Sequence, residues 1–332
     1  MKPLALALGL GLSAWCAPLA LAESSAPVTV ETRSIPFSTF AAGSSQVRFG
    51  KLEFVGGFEL RSRASKFGQM SAFRFTEPGG QFIGVSDHGY WFFGSVERDG
   101  NIPVGVSDFR KQPIVDAAGN VISDKHYVDA EGLDVHGGVA TVSFERLARV
   151  TEYPISAHGA GAPLRDLDFL IPRRELRYNS GMETVARGPA GSALQGARIV
   201  IAERSIDQEG NIFASVLEGP RKGIFKVKRR DDFDVTDGVF LPDGDLLLLE
   251  RRFTRPISVG MRMRRIDGSK IKPGAVIDGE VLIDADLSAR IDNMEAIDVW
   301  QREDGELVVS VVSDDNQSFL QRTLYLEFVL RE

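Results

Sequence analysis

Residues 292–316 read DNMEAIDVWQREDGELVVSVVSDDN. An alternating apolar run, Ala296 to Trp300, meets a polar turn at Gln301 to Gly305, and a second apolar run, Leu307 to Val312, follows. Asp-Gly between two such runs specifies a β-hairpin, because only residues tolerant of positive φ fit turns whose twist matches the strands. The chemistry lies at the open end. Glu295 opens the first strand, and Asp314, Asp315 and Asn316 close the second. In an antiparallel pair these ends are neighbours, so the hairpin gathers three carboxylates and an amide.

The pattern recurs along the chain. EGLDVHGGVATVSFER starts at Glu131, turns at Gly137-Gly138 and ends at Glu145-Arg146. DGVFLPDGDLLLLER starts at Asp237, turns at Pro242-Asp243-Gly244 and ends at Glu250-Arg251. A longer copy runs from Glu183 to Glu203-Arg204, with its turn between Gly188 and Gly196. In the first copy Ser71 stands in the acid's place, the turn is Pro78-Gly79-Gly80, and the end is Ser86-Asp87-His88.

Hairpin starts at 71, 131, 183, 237 and 295 are spaced by 60, 52, 54 and 58 residues. A period of that length, with strands throughout, predicts an all-β protein: a β-propeller of four-stranded blades. Strand counting gives five blades, with six as the alternative. Further strands are expected at Arg149 to Ile155, Leu167 to Ile171, Ile212 to Leu217, Gly223 to Lys228, Ile257 to Ile266 and Glu280 to Ile283. Only one strand, Thr323 to Leu330, follows the last hairpin. The N-terminal strand at Lys51 to Val55 is expected to complete that blade and remove its open edge. The phase of alternation slips at Gly50-Lys51, which marks a bulge or a short turn.

The chain has 332 residues and a net charge of −7, which argues against general affinity for nucleic acid. Residues 1–22 have the form of a secretory signal peptide: Lys2, the apolar run Leu4 to Leu12, and Ala20-Leu21-Ala22 before Glu23. The run is too short for a membrane span, so the mature protein is expected to be periplasmic or secreted, without a span. The one cysteine, Cys16, falls in this segment. Thiol chemistry, thiolate ligands and disulfides are therefore excluded from the mature chain. Residues 23–45 read as an extended lead-in, and 46–332 as one propeller domain.

GQMSAF, GVSDHG, DAEGLDV with VSFER, the segment from Gly181-Met182-Glu183 to Ala202-Glu203-Arg204, FLPDGDLLLLER, and DNMEAIDV with VVSDDN together resemble the phytase-like family, also described as "esterase-like activity of phytase". The resemblance spans roughly Lys51 to Leu330. It implies a β-propeller and, by the family's name, hydrolysis of phosphate esters or esters. The better-known phosphate-hydrolysing propellers have six blades, one more than the strand count here. Two departures stand out. Ala296 replaces a glycine usual after the acid, and Pro78-Gly79-Gly80 replaces a longer first turn.

Inner-strand ends of a propeller converge on its channel. Glu131, Glu183, Asp237, Glu295, Asp314 and Asp315 are accordingly expected to hold metal, with Asp87, His88, Glu145 and Glu203 as candidate catalytic groups and Glu250 at the same mouth. So many carboxylates repel one another unless cations or protons intervene. Oxygen donors without cysteine select a hard divalent cation such as Ca²⁺. Bound there, it holds a phosphate or carbonyl oxygen and acidifies a water. His88 is a candidate general acid or base. Arg146, Arg204 and Arg251 alternate with the glutamates. They either face neighbouring blades or clamp an anionic substrate as forked donors. No G-x-S-x-G elbow, P-loop or GxGxxG occurs, so a serine-hydrolase route has no sequence support.

The expected function is metal-assisted hydrolysis of a small anionic or ester substrate. A metal-dependent lactonase and a non-catalytic ligand- or protein-binding propeller remain open. An acidic mouth disfavours phytate itself unless several metals bind.

Overall fold

The computed structural model describes residues 25–65, 67–178, 180–254 and 258–331. The expected signal segment, with Cys16, lies outside the described residues. Five antiparallel sheets follow one another along the chain. Blade 1 is built from Met70–Phe75, Gln81–Ser86, Tyr90–Asp99 and Ile102–Pro113. Blade 2 comprises Ala130–His136, Val139–Phe144 and Arg149–Ser156, and its fourth strand is split into Gly159–Ala160 and Arg165–Leu167. Blade 3 uses Met182–Arg187, Arg198–Ile206, Asn211–Val216 and Gly223–Lys228. Blade 4 uses Asp234–Phe240, Leu246–Thr254, Ser258–Ile266 and Glu280–Ala285. Blade 5 takes Asn293–Gln301, Leu307–Asp314 and Thr323–Leu330, then closes with Leu52–Arg61 from the other end of the chain.

The first strand of each blade packs beside the next, and the fifth returns to the first, so the inner strands form a closed ring. The expected closure is therefore present, and the blade number is five. Arg48–Phe49 and Leu52–Arg61 form a tight hairpin through Gly50, whose φ of 61° suits the turn. The slip in alternation at that point is a turn, not a bulge.

Apolar alternation explains the packing. Five buried clusters fill the five interfaces between neighbouring blades. The run Leu246 to Leu249 shows how. All four leucines are fully buried; Leu247 and Leu249 face blade 5, while Leu246 and Leu248 face blade 3. A strand covered on both faces reads as a continuous apolar run, although its side chains still alternate.

The lead-in also joins the sheets. Val28–Thr29 pairs with the outer strand of blade 1 and Arg33–Phe37 with the closing strand of blade 5. A further short strand, Val276–Ile277, leaves blade 4 and lies parallel to Gly223–Lys228 on the edge of blade 3. No helix among the described residues is long and apolar enough to cross a membrane.

Candidate active site

Each inner strand breaks register with its partner near its start, and in four of the five blades the break encloses the residue singled out by the hairpin pattern. The breaks enclose Ser71, Glu183 and Glu295, and in blade 2 the pair Glu131-Gly132. A bulge bends the strand and re-aims the side chain that it carries. It therefore turns these side chains out of the ladder at the channel mouth. Gly132 shows how tightly the strands meet there: a Cβ on it would lie 2.5 Å from the Glu183 carbonyl oxygen.

Blade 4 differs. Its break falls at Thr236, so Asp237 lies one residue further along. That slip sends Asp237 down the channel instead of to the mouth, because successive strand residues face opposite ways. There it meets Arg74 of blade 1. The guanidinium donates to both Asp237 carboxylate oxygens, at 2.7 and 2.8 Å. It also donates to the carbonyls of Phe73, Val185, Gly238 and Ile297, from blades 1, 3, 4 and 5. Asp237 further accepts the Gly238 and Ile297 amides. Arg74 and Asp237 thus form a floor across the axis, and Asp237 does not join the mouth as a ligand. Glu250 is also withdrawn: it is fully buried and accepts from Arg264 Nη2 at 2.5 Å and Nε at 2.7 Å.

Above this floor the carboxylates converge. One oxygen each of Glu145, Glu183 and Glu203 lie within 4.8 Å of one another, and so do those of Asp129, Glu131 and Glu145. Glu145 belongs to both groups. Positive charge is unevenly shared between them. Asp129 is held by Arg146 at 2.8 Å and Lys125 at 3.3 Å. Glu203 takes one contact from Arg251 at 3.1 Å. Glu145 accepts only the Gly181 amide, at 3.1 Å, and the Glu183 carboxylate has no hydrogen-bond partner among the described residues. The group under Glu183 is therefore the less neutralised of the two.

The protonation equilibria follow. Burial, then the charges of Asp129 and Glu203, push Glu145 up to about 7, although the Gly181 amide and Arg146 oppose this. Burial, then Glu145, Asp129 and Asp87, hold Glu131 well above the usual carboxylate range, against the hydroxyl of Ser71. Glu183 is raised by burial and by Glu131, Glu203 and Glu145. Asp314 is pushed up to about 7 by burial, with Asp87 and Asp315 adding to it. Glu145 and Asp314 thus titrate near neutrality, and Glu131 and Glu183 are shifted in the same direction, so a cation bound here would take the place of protons.

The remaining residues singled out by sequence fall around this centre. Asp87 accepts from Lys125 at 2.5 Å and from His88 Nδ1 at 2.8 Å. Glu295 is tied to Arg251 and to the Asn293 amide, and so sits in an ion pair. Asp314 accepts the Asn316 amide, and Asp315 accepts the Thr323 hydroxyl. Neither enters the two three-carboxylate groups. The arginines are all engaged: Arg146 with Asp129, Arg204 with Asp234 at 3.4 Å, and Arg251 between Glu203 of blade 3 and Glu295 of blade 5.

A family profile described as "Phytase-like: Esterase-like activity of phytase" matches residues 65–317. The chain belongs to this family. All the acids of the two groups fall inside the matched span of this phytase-like protein. Among solved structures, it is similar to the PQQ-bound form of aldose sugar dehydrogenase from Streptomyces coelicolor, at 13% identity and a TM-score of 0.47, over 86% of this chain and 100% of that one. It is also similar to the WD40 domain of coronin from Toxoplasma gondii, at 6% identity and a TM-score of 0.34, over 93% of this chain and 89% of that one. A search of curated protein sequences gives no match.

Sequence reasoning missed Asp129, Lys125 and the Arg74–Asp237 floor. Asp129 was within reach, since it lies two residues before Glu131 in the same motif. The floor was signalled by Arg74 standing at the strand position that Asp134 and Asp298 fill in blades 2 and 5.

Proposed function

We propose that this phytase-like protein is an exported, metal-assisted hydrolase of ester or phosphate-ester bonds, working at the acidic mouth of the propeller. The observation that carries this reading is the pair of three-carboxylate groups sharing Glu145. The donor set fits a hard divalent cation of the Ca²⁺ type: every donor is a carboxylate oxygen, and burial, then mutual repulsion, keeps several of them raised. Glu145, Glu183 and Glu203 would hold the ion, with Asp129 and Glu131 as the adjoining set. Such an ion, when bound, would polarise a carbonyl or phosphoryl oxygen and acidify a water.

The chain's own residues supply the rest. The Arg74–Asp237 floor closes the channel below the carboxylates and gives the site one open side. Arg251 and Lys125 fix the flanking acids. Asp314, at about 7, is placed by its titration to exchange a proton at neutral pH. His88, oriented through Nδ1 by Asp87, is the candidate acid for the leaving group.

Hydrolysis of p-nitrophenyl phosphate and p-nitrophenyl acetate, each with Ca²⁺ and with chelator, tests the reading. Turnover should require the cation and fall by more than roughly ten-fold in Glu183→Gln. Turnover indifferent to chelator and to this substitution, or absent with both substrates, would refute it. A ligand-binding propeller is the second reading. It is favoured by a cavity of about 880 Å³ that opens between blades 1 and 2 on the opposite face, lined by Phe75, Phe93, Arg110 and His136.

A further inference from the structure

Four aromatic side chains are exposed among the described residues: Tyr127, Tyr178, Phe253 and Phe319. Core aromatics need no explanation, but exposed ones grouped on one surface do. Strand direction alternates within each blade. The second-to-third connections and the links between blades therefore emerge at the end where the inner strands begin. Tyr127 and Tyr178 lie on the links into blades 2 and 3. Phe253 ends the second strand of blade 4, and Phe319 lies between the second and third strands of blade 5. All four crown the acidic mouth.

Contacts bear this out. The Arg146 guanidinium lies 5.8 Å from the Tyr178 ring and also holds Asp129. Arg251 lies 5.0 Å from the Phe253 ring and holds Glu203 and Glu295. Tyr127 is two residues from Lys125, which holds Asp87 and Asp129. Phe319 is 96% exposed and is followed by Leu320 at 70%, in the loop after Asp315. At the opposite end, the exposed apolar side chains Ile102 and Leu164 are aliphatic.

These residues come from four different blades or blade junctions. Spread over four blades, they suit a broad apolar surface better than a small molecule seated where blades 2 and 3 meet. Aromatic rings interleaved with Arg and Lys suit a lipid–water interface, where rings insert and cations stay at the polar boundary. The charge selects the kind of lipid. A chain of net charge −7 with an acidic mouth is repelled by an anionic surface.

We propose that this rim is an interfacial docking surface, which seats the mouth on a neutral or zwitterionic lipid surface so that the polar head of an amphiphilic ester enters it. The ester rests on the hydrolase reading; the docking surface does not.

Co-sedimentation with phosphatidylcholine vesicles, with and without added phosphatidic acid, tests the surface. Wild type should sediment with pure phosphatidylcholine, and phosphatidic acid should weaken this. Phe253→Ser, and Phe319→Ser with Leu320→Ser, should lower partitioning by about ten-fold for each apolar side chain removed. Their melting temperature and their turnover of soluble p-nitrophenyl phosphate should stay at the wild-type level. Failure of wild type to sediment, sedimentation only with phosphatidic acid, or variants that sediment like wild type would each overturn the proposal. Vesicle binding without turnover of soluble or vesicle-borne ester upholds the docking surface and removes only the hydrolase reading.

Discussion

Replacing Glu145 by Gln should stabilise the metal-free protein at pH 8. Glu145 titrates at about 7 in the fold, against an ordinary value of 4.5. The folded state thus holds its proton more tightly than the unfolded chain. Stability from this group is fully present below about pH 4.5 and is lost as the pH rises towards 7. At about 1.36 kcal/mol per unit, the loss at pH 8 is at most about 3 kcal/mol. Gln carries no charge and can still accept the Gly181 amide through its oxygen, so the variant should avoid most of that loss. For a protein of this size the gain amounts to a melting temperature on the order of 5 °C higher.

The same substitution should reverse its sign when Ca²⁺ is present. An ion that binds only the folded state stabilises it by about 2.7 kcal/mol at a hundred times its dissociation constant. Glu145 is the one residue common to both carboxylate groups, so Gln should remove most of that gain. The assay is a set of thermal melts of both proteins between pH 5 and 8, in chelator and across a Ca²⁺ titration. Wild type in chelator should melt higher at pH 5 than at pH 8, and the slope should flatten with Ca²⁺. A variant that melts below wild type at pH 8 in chelator would refute the repulsion argument. Wild-type melting indifferent to Ca²⁺ would refute the site.

Arg74→Met leaves Asp237 buried without its counter-ion and should cost about 3–5 kcal/mol, equally with and without Ca²⁺, with part regained in Arg74→Met combined with Asp237→Leu. Chemical denaturation checks this, and a single variant of wild-type stability would remove the floor. Glu295→Gln breaks one side of the Arg251 bridge and should destabilise by about 1–3 kcal/mol in chelator and Ca²⁺ alike. A loss that appears only in Ca²⁺ would make Glu295 a ligand.

The fold was legible because its signal is local and repeated. Every blade carries an apolar hairpin with turn residues midway, and Thr323 to Leu330 visibly lacked a partner until Leu52–Arg61 supplied it. The edge strand Val276–Ile277 was not legible: it is two residues long, and only the neighbouring blade gives it a partner. The site was half legible. Glu131, Glu145, Glu183 and Glu203 were identified from hairpin ends, and the structure gathers all four. The fate of the other acids depended on partners in other strands and blades. Glu250 meets Arg264 across the neighbouring strand, Glu295 meets Arg251 from another blade, and Asp237 meets Arg74 across the axis. Composition and spacing carry no record of the first two meetings, and only Arg74, a basic residue at a strand position that acids fill in blades 2 and 5, hints at the third.

The one-residue slip in blade 4 explains why the mouth is lopsided. With Asp237 turned down to Arg74, blade 4 brings a cation to the mouth, Arg251, which neutralises the acids of blades 3 and 5 on either side. Blade 1 offers Ser71 at its bulge, and its Asp87 is already held by Lys125. Compensation is therefore poorest where blades 2 and 3 meet, at Glu145 and Glu183, and there the inner strands approach closely enough to require Gly132. A five-fold ring of equal acids would have spread its repulsion around the axis. This arrangement concentrates it at one junction, beside the rim that carries Tyr178, and that is where a cation gains most by binding.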